Sequence, residues 1–218
     1  MMKEKVSVRT VARKDKEMLT QIYFETAFLG KHGQPIFDDP TFFFDIGFLY
    51  FTKFDTRFSF IAESDGIVLG YILGTPSIRK YFLLNSIFMI PFFLLPRLIT
   101  FRYKIGWKTL KFMFFLFLDA LFQRIPRSPY STYPAELHIN LLESSRGKGI
   151  ASQLMKHLLD QLQEEHIKGI QLNTTSENRD AIKLYNRFGF KEISNKTSIL
   201  WSHFLSYPVF SITFAKEI

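Results

Sequence analysis

The alternation of apolar and polar positions divides the chain into short strands and amphipathic helices. Val6–Val11 alternates as a strand, and Lys14–Leu29 places Met18, Leu19, Ile22, Tyr23 and Ala27 at helical spacing, with Gly30 as a stop. Lys31–Asp39, which holds Gly33 and Pro35 and precedes Pro40, predicts a loop. Phe42–Phe51 is apolar nearly all round and predicts a buried helix, with an aromatic wall for a substrate as the alternative. Phe58–Glu63 and Ile67–Gly74, joined by Ser64-Asp65-Gly66, predict a β-hairpin. Ala135–Leu142 alternates cleanly: Leu137, Ile139 and Leu141 share one face, and Glu136, His138 and Asn140 share the other.

The clearest helix is Gly147–His166, where Ile150, Ala151, Leu154, Met155, Leu158, Leu159 and Leu162 make one continuous apolar stripe and Gly169 supplies the stop. Gly169–Thr174 is the next strand, so the helix forms a crossover between two parallel strands. Ser176 or Asn178 caps a further helix with Ala181, Leu184, Tyr185 and Phe188 inward and Gly189 at its end. Phe190–Ser194 and Pro208–Ala215 are closing strands, and Ser198–Tyr207 is an aromatic connection of undefined form.

Between Ser77 and Tyr130 the character changes. Tyr81–Leu95 is strongly apolar, but Asn85, Ser86 and Pro91 interrupt it and Pro96-Arg97 stops it. It therefore reads as shorter than the roughly 20 residues a membrane span requires. Leu98–Phe122 mixes Arg102, Lys104, Lys108 and Lys111 with Phe112, Phe114, Phe115, Phe117 and Phe122, the composition of a basic amphipathic helix. A helical hairpin packed on its own domain or on a second subunit is the plainest outcome. Peripheral membrane contact through residues 81–122, a greasy acceptor site and a lid are the alternatives.

Composition narrows the function classes. A length of 218 residues suits one domain, residues 1–218, with an insertion at about 77–130. No cysteine is present, which removes disulfides, a thiol nucleophile and thiolate metal sites; no metal is expected. Met1–Thr10 is charged and has no apolar core, so no secretory signal is expected and the location expected is cytoplasmic, with a membrane-peripheral alternative. The formal charge of +8 points either to an anionic ligand such as CoA, anionic lipid heads or nucleic acid, or to an ordinary lysine-rich surface. Nucleic acid is the least favoured, because phenylalanine dominates the basic segment and no recognised nucleic-acid motif accompanies it.

The candidate chemistry begins at Ser145–Ala151, Ser-Arg-Gly-Lys-Gly-Ile-Ala, between a strand and the long helix. Two glycines at a helix start let a ligand approach the backbone, and the free first-turn N–H groups with the positive end of the helix dipole form an anion site. The natural guest is a phosphate or pyrophosphate. Neither the Rossmann nor the P-loop glycine pattern is present. The polar face Glu136, His138 and Asn140 belongs either to a wet edge strand or to a polar wall of a reaction site.

Arg146-x-x-Gly149-x-Ala151, followed by Asn178-x-x-Ala181-x-x-Leu184-Tyr185-x-x-x-Gly189-Phe190, resembles the two halves of the GNAT acyl-CoA N-acetyltransferase signature. Tyr133–Leu142, with Gly74-Thr75-Pro76 and Ile36–Asp39, is similar to the branch that includes the acetyltransferase-like domain of O-GlcNAcase. The resemblance implies a mixed α/β fold: a mostly antiparallel twisted sheet with a splayed strand pair, flanked by helices. It implies acetyl-CoA as cosubstrate. Ile139, Leu141 and Leu142 would pair with the pantetheine arm. Arg146, Gly147, Lys148, Gly149, Ile150 and Ala151 would receive the pyrophosphate, with Asn173, Asn178, Ala181 and Tyr185 completing the cofactor site. Tyr185 would protonate the departing thiolate.

Acetyl transfer from a thioester to an amine needs a deprotonated amine, an oxyanion donor and an acid for sulfur. A strand N–H at Ile139 or Leu141 suits the second need and the Tyr185 phenol the third. His138 and Glu136 are the two candidates for the base. The expected activity is N-acetylation of an unidentified primary amine by direct attack. The alternative is a non-catalytic CoA-binding or docking module that uses the phenylalanine-rich insertion. A homodimer is left open.

Overall fold

The computed structural model describes residues 6–33 and 36–218; residues 1–5 of the N-terminal segment expected to lack a signal, and Gln34 and Pro35 of the predicted loop, lie outside the described residues. Seven strands form one sheet in the order β1-β2-β3-β4-β5-β7-β6. They are β1 (Ser7–Thr10), β2 (Phe60–Ser64), β3 (Ile67–Thr75), β4 (Ala135–Leu141), β5 (Gly169–Thr175), β6 (Lys191–Ser198) and β7 (Val209–Glu217). Every neighbouring pair is antiparallel except β4–β5. The predicted hairpin turns through Asp65 at φ 50° and Gly66 at φ 79°, a conformation whose twist matches that of the flanking strands.

The sheet opens in its middle. Strand β4 pairs with β3 from Glu136 to Leu141, but with β5 only at Ala135↔Ile170 and Glu136↔Gln171. Helix α6 (Ile150–Glu164) covers one face with Ile150, Leu154, Met155, Leu158 and Leu162, all buried. Each such side chain contributes about 2 kcal/mol. Gly74 permits that contact, since a Cβ there would lie 2.6 Å from the Phe58 carbonyl and 2.8 Å from Leu158. The other face is covered by α1 (Lys16–Thr26) and α2 (Pro40–Gly47), whose Leu19, Ile22 and Phe44 pack with Ile61, Tyr71 and Leu73. Helix α7 (Arg179–Arg187) starts at Asn178 and ends at Gly189, at φ 79°.

The insertion departs from the sequence expectation. Helix α3 (Ile78–Leu84), a π-helical stretch (Asn85–Leu94) and α4 (Leu95–Ile99) form one continuous helix of 22 residues. By length and composition that is enough to cross a membrane, so the reading of a segment too short to span is corrected. Asn85 and Pro91 do not break it: the wider π-helical turn accommodates a residue without an N–H, and Asn85 is buried. The second helix, α5, spans only Trp107–Leu121 rather than Leu98–Phe122. The chain turns first, with Phe101 at φ 52°, and Gly106 sits so close to Asp38 that a Cβ would lie 2.7 Å from its carboxylate.

Four carboxylates, of which Asp39, Asp45 and Asp119 are buried, tie this insertion to the domain. Asp45 of α2 accepts from the Tyr103 hydroxyl at 2.9 Å, pairs with Lys16 at 2.7 Å, and also holds Arg97. Asp38 accepts from the N–H and Oγ1 of Thr109, both at 3.0 Å, while Asp39 caps α2 and accepts from the Lys104 N–H at 2.8 Å. Asp119 receives the Ser198 hydroxyl at 2.7 Å and the N–H groups of Ile199 at 2.6 Å and Leu200 at 3.3 Å. It thereby caps α8 (Ile199–Leu205), the helix into which the aromatic connection folds.

Truncating Asp119 to alanine leaves those donors buried without an acceptor. Asp119→Ala is expected to lower unfolding free energy by about 2 kcal/mol, measured by urea denaturation. A change below about 0.5 kcal/mol would contradict this anchoring role.

Candidate active site

The site grows out of the opening between β4 and β5. The Leu142 N–H donates to the Leu69 carbonyl on β3 at 3.0 Å. Backbone groups alternate in direction along a strand, so those of Ile139 and Leu141 point the other way, to the side where β5 has diverged. Leu142 itself is corrected out of the predicted pantetheine set, since its N–H serves β3 and its carbonyl accepts from Ser145 at 2.9 Å. The opening holds a cavity of about 390 Å³, lined by Leu137–Asn140, by Asn173–Thr175, and by Asn178 and Tyr185.

Beyond the end of β4, the chain passes to α6 through Arg146–Gly149. Gly147 at φ 74° and Gly149 at φ 77° are both left-handed, and a Cβ on either would meet nothing within 4 Å. Conformation therefore demands glycine here, while the surrounding chain leaves space for a ligand. The first-turn N–H groups of α6 have no intrahelical partners and lie at the positive end of the helix, where an anion is stabilised. Ser145 beside them is buried with its hydroxyl unpaired among the described residues. Arg146 departs from expectation: its N–H donates to Glu143 at 3.2 Å and its guanidinium to the Gly30 carbonyl. The cradle consists of Gly147, Lys148, Gly149, Ile150 and Ala151.

The polar face of β4 lies in the sheet interior, between β3 and β5, so the edge-strand reading falls away. Its three residues have different environments. Burial pushes the Glu136 carboxyl up to about 7, an effect partly offset by a hydrogen bond from Asn173. His138 faces the cavity against the rings of Phe48 at 4.9 Å and Phe51 at 5.9 Å, and desolvation pushes its imidazole down to about 4. The Asn140 amide donates to the Tyr71 hydroxyl at 2.8 Å. Glu136 is buried but is not part of the cavity lining.

Tyr185 projects from α7 into the cavity, with its ring beside Phe190 at 6.0 Å and Phe214 at 5.9 Å; burial raises its phenol well above the ordinary value. A phenol so placed holds its proton until a stronger base arrives. Asn178 and Asn173 line the same space, Asn173 with its side-chain oxygen accepting from the Thr213 hydroxyl at 2.6 Å, whereas Ala181 is a packing residue of the core beneath α6. The opposite wall comes from residues that the sequence did not single out: Tyr23 of α1, Leu116 and Asp119 of α5, and Trp201 of α8. Their contribution depends on contacts across the fold; Tyr23, Leu116 and Trp201 show only aromatic or apolar character locally, and Asp119 is a lone acid within a largely apolar helix. The predicted helix over Phe42–Phe51 is broken after Gly47, with Leu49–Thr52 forming a separate 3-10 turn; Phe44, Tyr50 and Phe51 are core, and Phe48 at the break lines the cavity.

Comparison with known proteins agrees with this geometry. Residues 117–190 match the model of the Acetyltransferase (GNAT) family. The structure superposes on that of SsHAT with a TM-score of 0.69, at 22% identity and covering 98% of each chain. It superposes on yncA from Salmonella typhimurium, solved with its cofactor acetyl-CoA, with a TM-score of 0.55 at 14% identity, covering 97% of this chain and 93% of that one. For the ribosomal-protein-alanine N-acetyltransferase from Brucella melitensis the TM-score is 0.54 at 16% identity, with 97% and 99% covered. The chain thus has the GNAT acetyltransferase fold, and its residues 117–190 carry the sequence pattern of that family.

Proposed function

We propose that this protein transfers an acetyl group from acetyl-CoA to a primary amine by direct attack. The observation that carries the reading is the cavity that brings Ile139 on the open edge of β4, the strand that leads into the glycine turn before α6, together with Asn178 and Tyr185. The acetyl-CoA bound to yncA and the amine acceptor named for the Brucella relative support it. So does the nearer likeness of Tyr133–Leu142 to the branch containing the O-GlcNAcase acetyltransferase-like domain. The exposed insertion favours a docking role in addition, rather than the non-catalytic module as a substitute.

Acetyl-CoA would supply the acetyl thioester and a thiolate leaving group. The amides of Gly147–Ala151 would hold its pyrophosphate, and the free edge of Ile139 and Leu141 would pair with its pantetheine arm. One of those strand N–H groups donates to the carbonyl oxygen as charge develops there. Asn178 orients the arm near Tyr185, whose hydroxyl gives its proton to sulfur. Glu136 is the better matched base, because a carboxyl near 7 combines a substantial ionised fraction with real basicity, whereas an imidazole near 4 is a weak base. A water relays the amine proton to Glu136, and His138 stays neutral and shapes the acceptor side.

Free-thiol release in the presence of acetyl-CoA and a panel of primary amines tests the reading. Tyr185→Phe is expected to lower kcat by about a hundredfold while leaving acetyl-CoA affinity within about twofold; equal losses of both would make Tyr185 a packing residue.

The base assignment predicts a pH profile. With Glu136 active only when ionised, kcat/KM should rise through an inflection near pH 7, and Glu136→Gln should remove that inflection. A wild-type profile flat down to about pH 5 would transfer the role to His138.

Stability follows the same carboxyl. Its folded value lies above its unfolded one, so its stabilising effect is complete below pH 4.5 and is lost as pH rises through 7. Thermal unfolding of Glu136→Gln should therefore improve on wild type as the pH is raised from 5 to 9, by up to about 3 kcal/mol. A pH-independent difference would contradict it.

A further inference from the structure

The positive charge of this protein is concentrated in one place. Residues 77–130 contain nine lysines and arginines and a single acid, so this segment carries the whole formal +8, while nineteen cations and nineteen acids balance elsewhere. The one acid, Asp119, is buried against the start of α8; from outside the segment Asp55 pairs with Lys80 and Asp45 with Arg97, and the segment keeps its positive sign through its other cations, Arg102 and Lys104 among them.

The same segment exposes a large apolar surface. On α5, Trp107, Leu110, Phe114, Phe117 and Leu121 recur at steps of three and four residues and are each more than half exposed, while Thr109 and Asp119 are buried against the domain. The preceding turn holds Phe101, 91% exposed, and Ile99, 66% exposed, beside the exposed cations Arg102 and Lys104. Phe82, Ile87 and Phe92 continue the exposed surface along the first helix. Monomeric soluble proteins rarely leave so much contiguous apolar side chain uncovered.

We propose that the helix–turn–helix from Ile78 to Leu121 docks this protein peripherally on an anionic lipid bilayer. Phe101 and Trp107 enter the headgroup boundary, and Arg102 and Lys104 meet lipid phosphates. Charge selects this occupant over a second copy, because self-association through this face would oppose one concentrated positive surface to another. An anionic bilayer offers the complementary sign together with an apolar layer for the aromatic side chains.

The helix Ile78–Ile99 docks without spanning, although its length would suffice. Its inner side is fastened to the domain: the Tyr81 hydroxyl donates to the Gly47 carbonyl at 2.8 Å, Asn85 and Met89 are buried, and Arg97 is held by Asp45. Crossing a bilayer would break each of these contacts. Docking does not depend on acetyl transfer, and its test is separate from the enzymatic one.

The test is flotation of the full chain with vesicles of neutral phosphatidylcholine, and with vesicles containing about one third phosphatidylglycerol. The expected result is partition at least tenfold stronger onto the anionic vesicles, lost at about 1 M salt. The double variant Arg102→Glu, Lys104→Glu should lose more than tenfold of that partition. Phe101→Ser with Trp107→Ser should lose it at any salt, and with both residues largely exposed, circular dichroism should match wild type. Equal, salt-insensitive partition onto both vesicles would overturn the proposal, as would no partition at low salt. A dimer in light scattering that dissociates in the Phe101→Ser, Trp107→Ser variant, without vesicle binding, would assign the face to a second copy and overturn it too.

Discussion

Backbone N–H and C=O groups in a protein interior must be paired, and β4 stops pairing with β5 after Glu136 and Gln171. The antiparallel pairing with β3 continues to Leu141, so β4 remains a rigid strand with one edge open from Ile139 onward. The opening is held by what packs beneath it. The apolar stripe of α6 fixes the glycine cradle at one end, and α7 brings Tyr185 to the cavity between the strands. A ligand with its own hydrogen-bonding arm and an anionic end would complete this arrangement, the arm along the missing ladder and the anion at the helix start.

The wall of the cavity opposite β4 is built differently. The insertion and α8 contribute to it, and both are secured by carboxylates: Asp38, Asp39 and Asp45 hold the turn and the two helices, and Asp119 joins α5 to α8. Helix α5 thus has two working faces. Leu116 and Asp119 line the cavity, while Phe114 and Phe117 point away from the domain. The fixed anchoring of α5 makes the wall of the cavity and the outward apolar surface parts of one rigid body.

Much of the glycine turn and of the β4 and α7 walls of the cavity was legible in the sequence, because its signals are local. A helical stripe, a glycine forced to positive φ and a clean alternation on β4 each depend on neighbours within one element, and Gly149, Tyr185 and the polar face of β4 follow from them. The insertion was less legible. Asn85 and Pro91 normally interrupt a helix, and only the π-helical hydrogen bonding of Asn85–Leu94 carries the chain through them. Leu98–Phe122 kept a helical composition across a turn that Gly106 and Asp38 impose from 68 residues apart in sequence. The withdrawal of Leu142 and Arg146 likewise depends on remote partners, Leu69 and Gly30, that spacing does not reveal. The environment separating Glu136 from His138 is a matter of burial, which two residues on the same strand face do not display.

The most direct measurement is calorimetric titration of the purified protein with acetyl-CoA, alongside the Gly149→Asp variant. The account predicts micromolar binding to the wild-type chain and none to the variant, in which a carboxylate and a strained left-handed backbone occupy the cradle. Absence of binding to the wild type, or equal affinity in the variant, would contradict the assignment of Gly147–Ala151 as the pyrophosphate site.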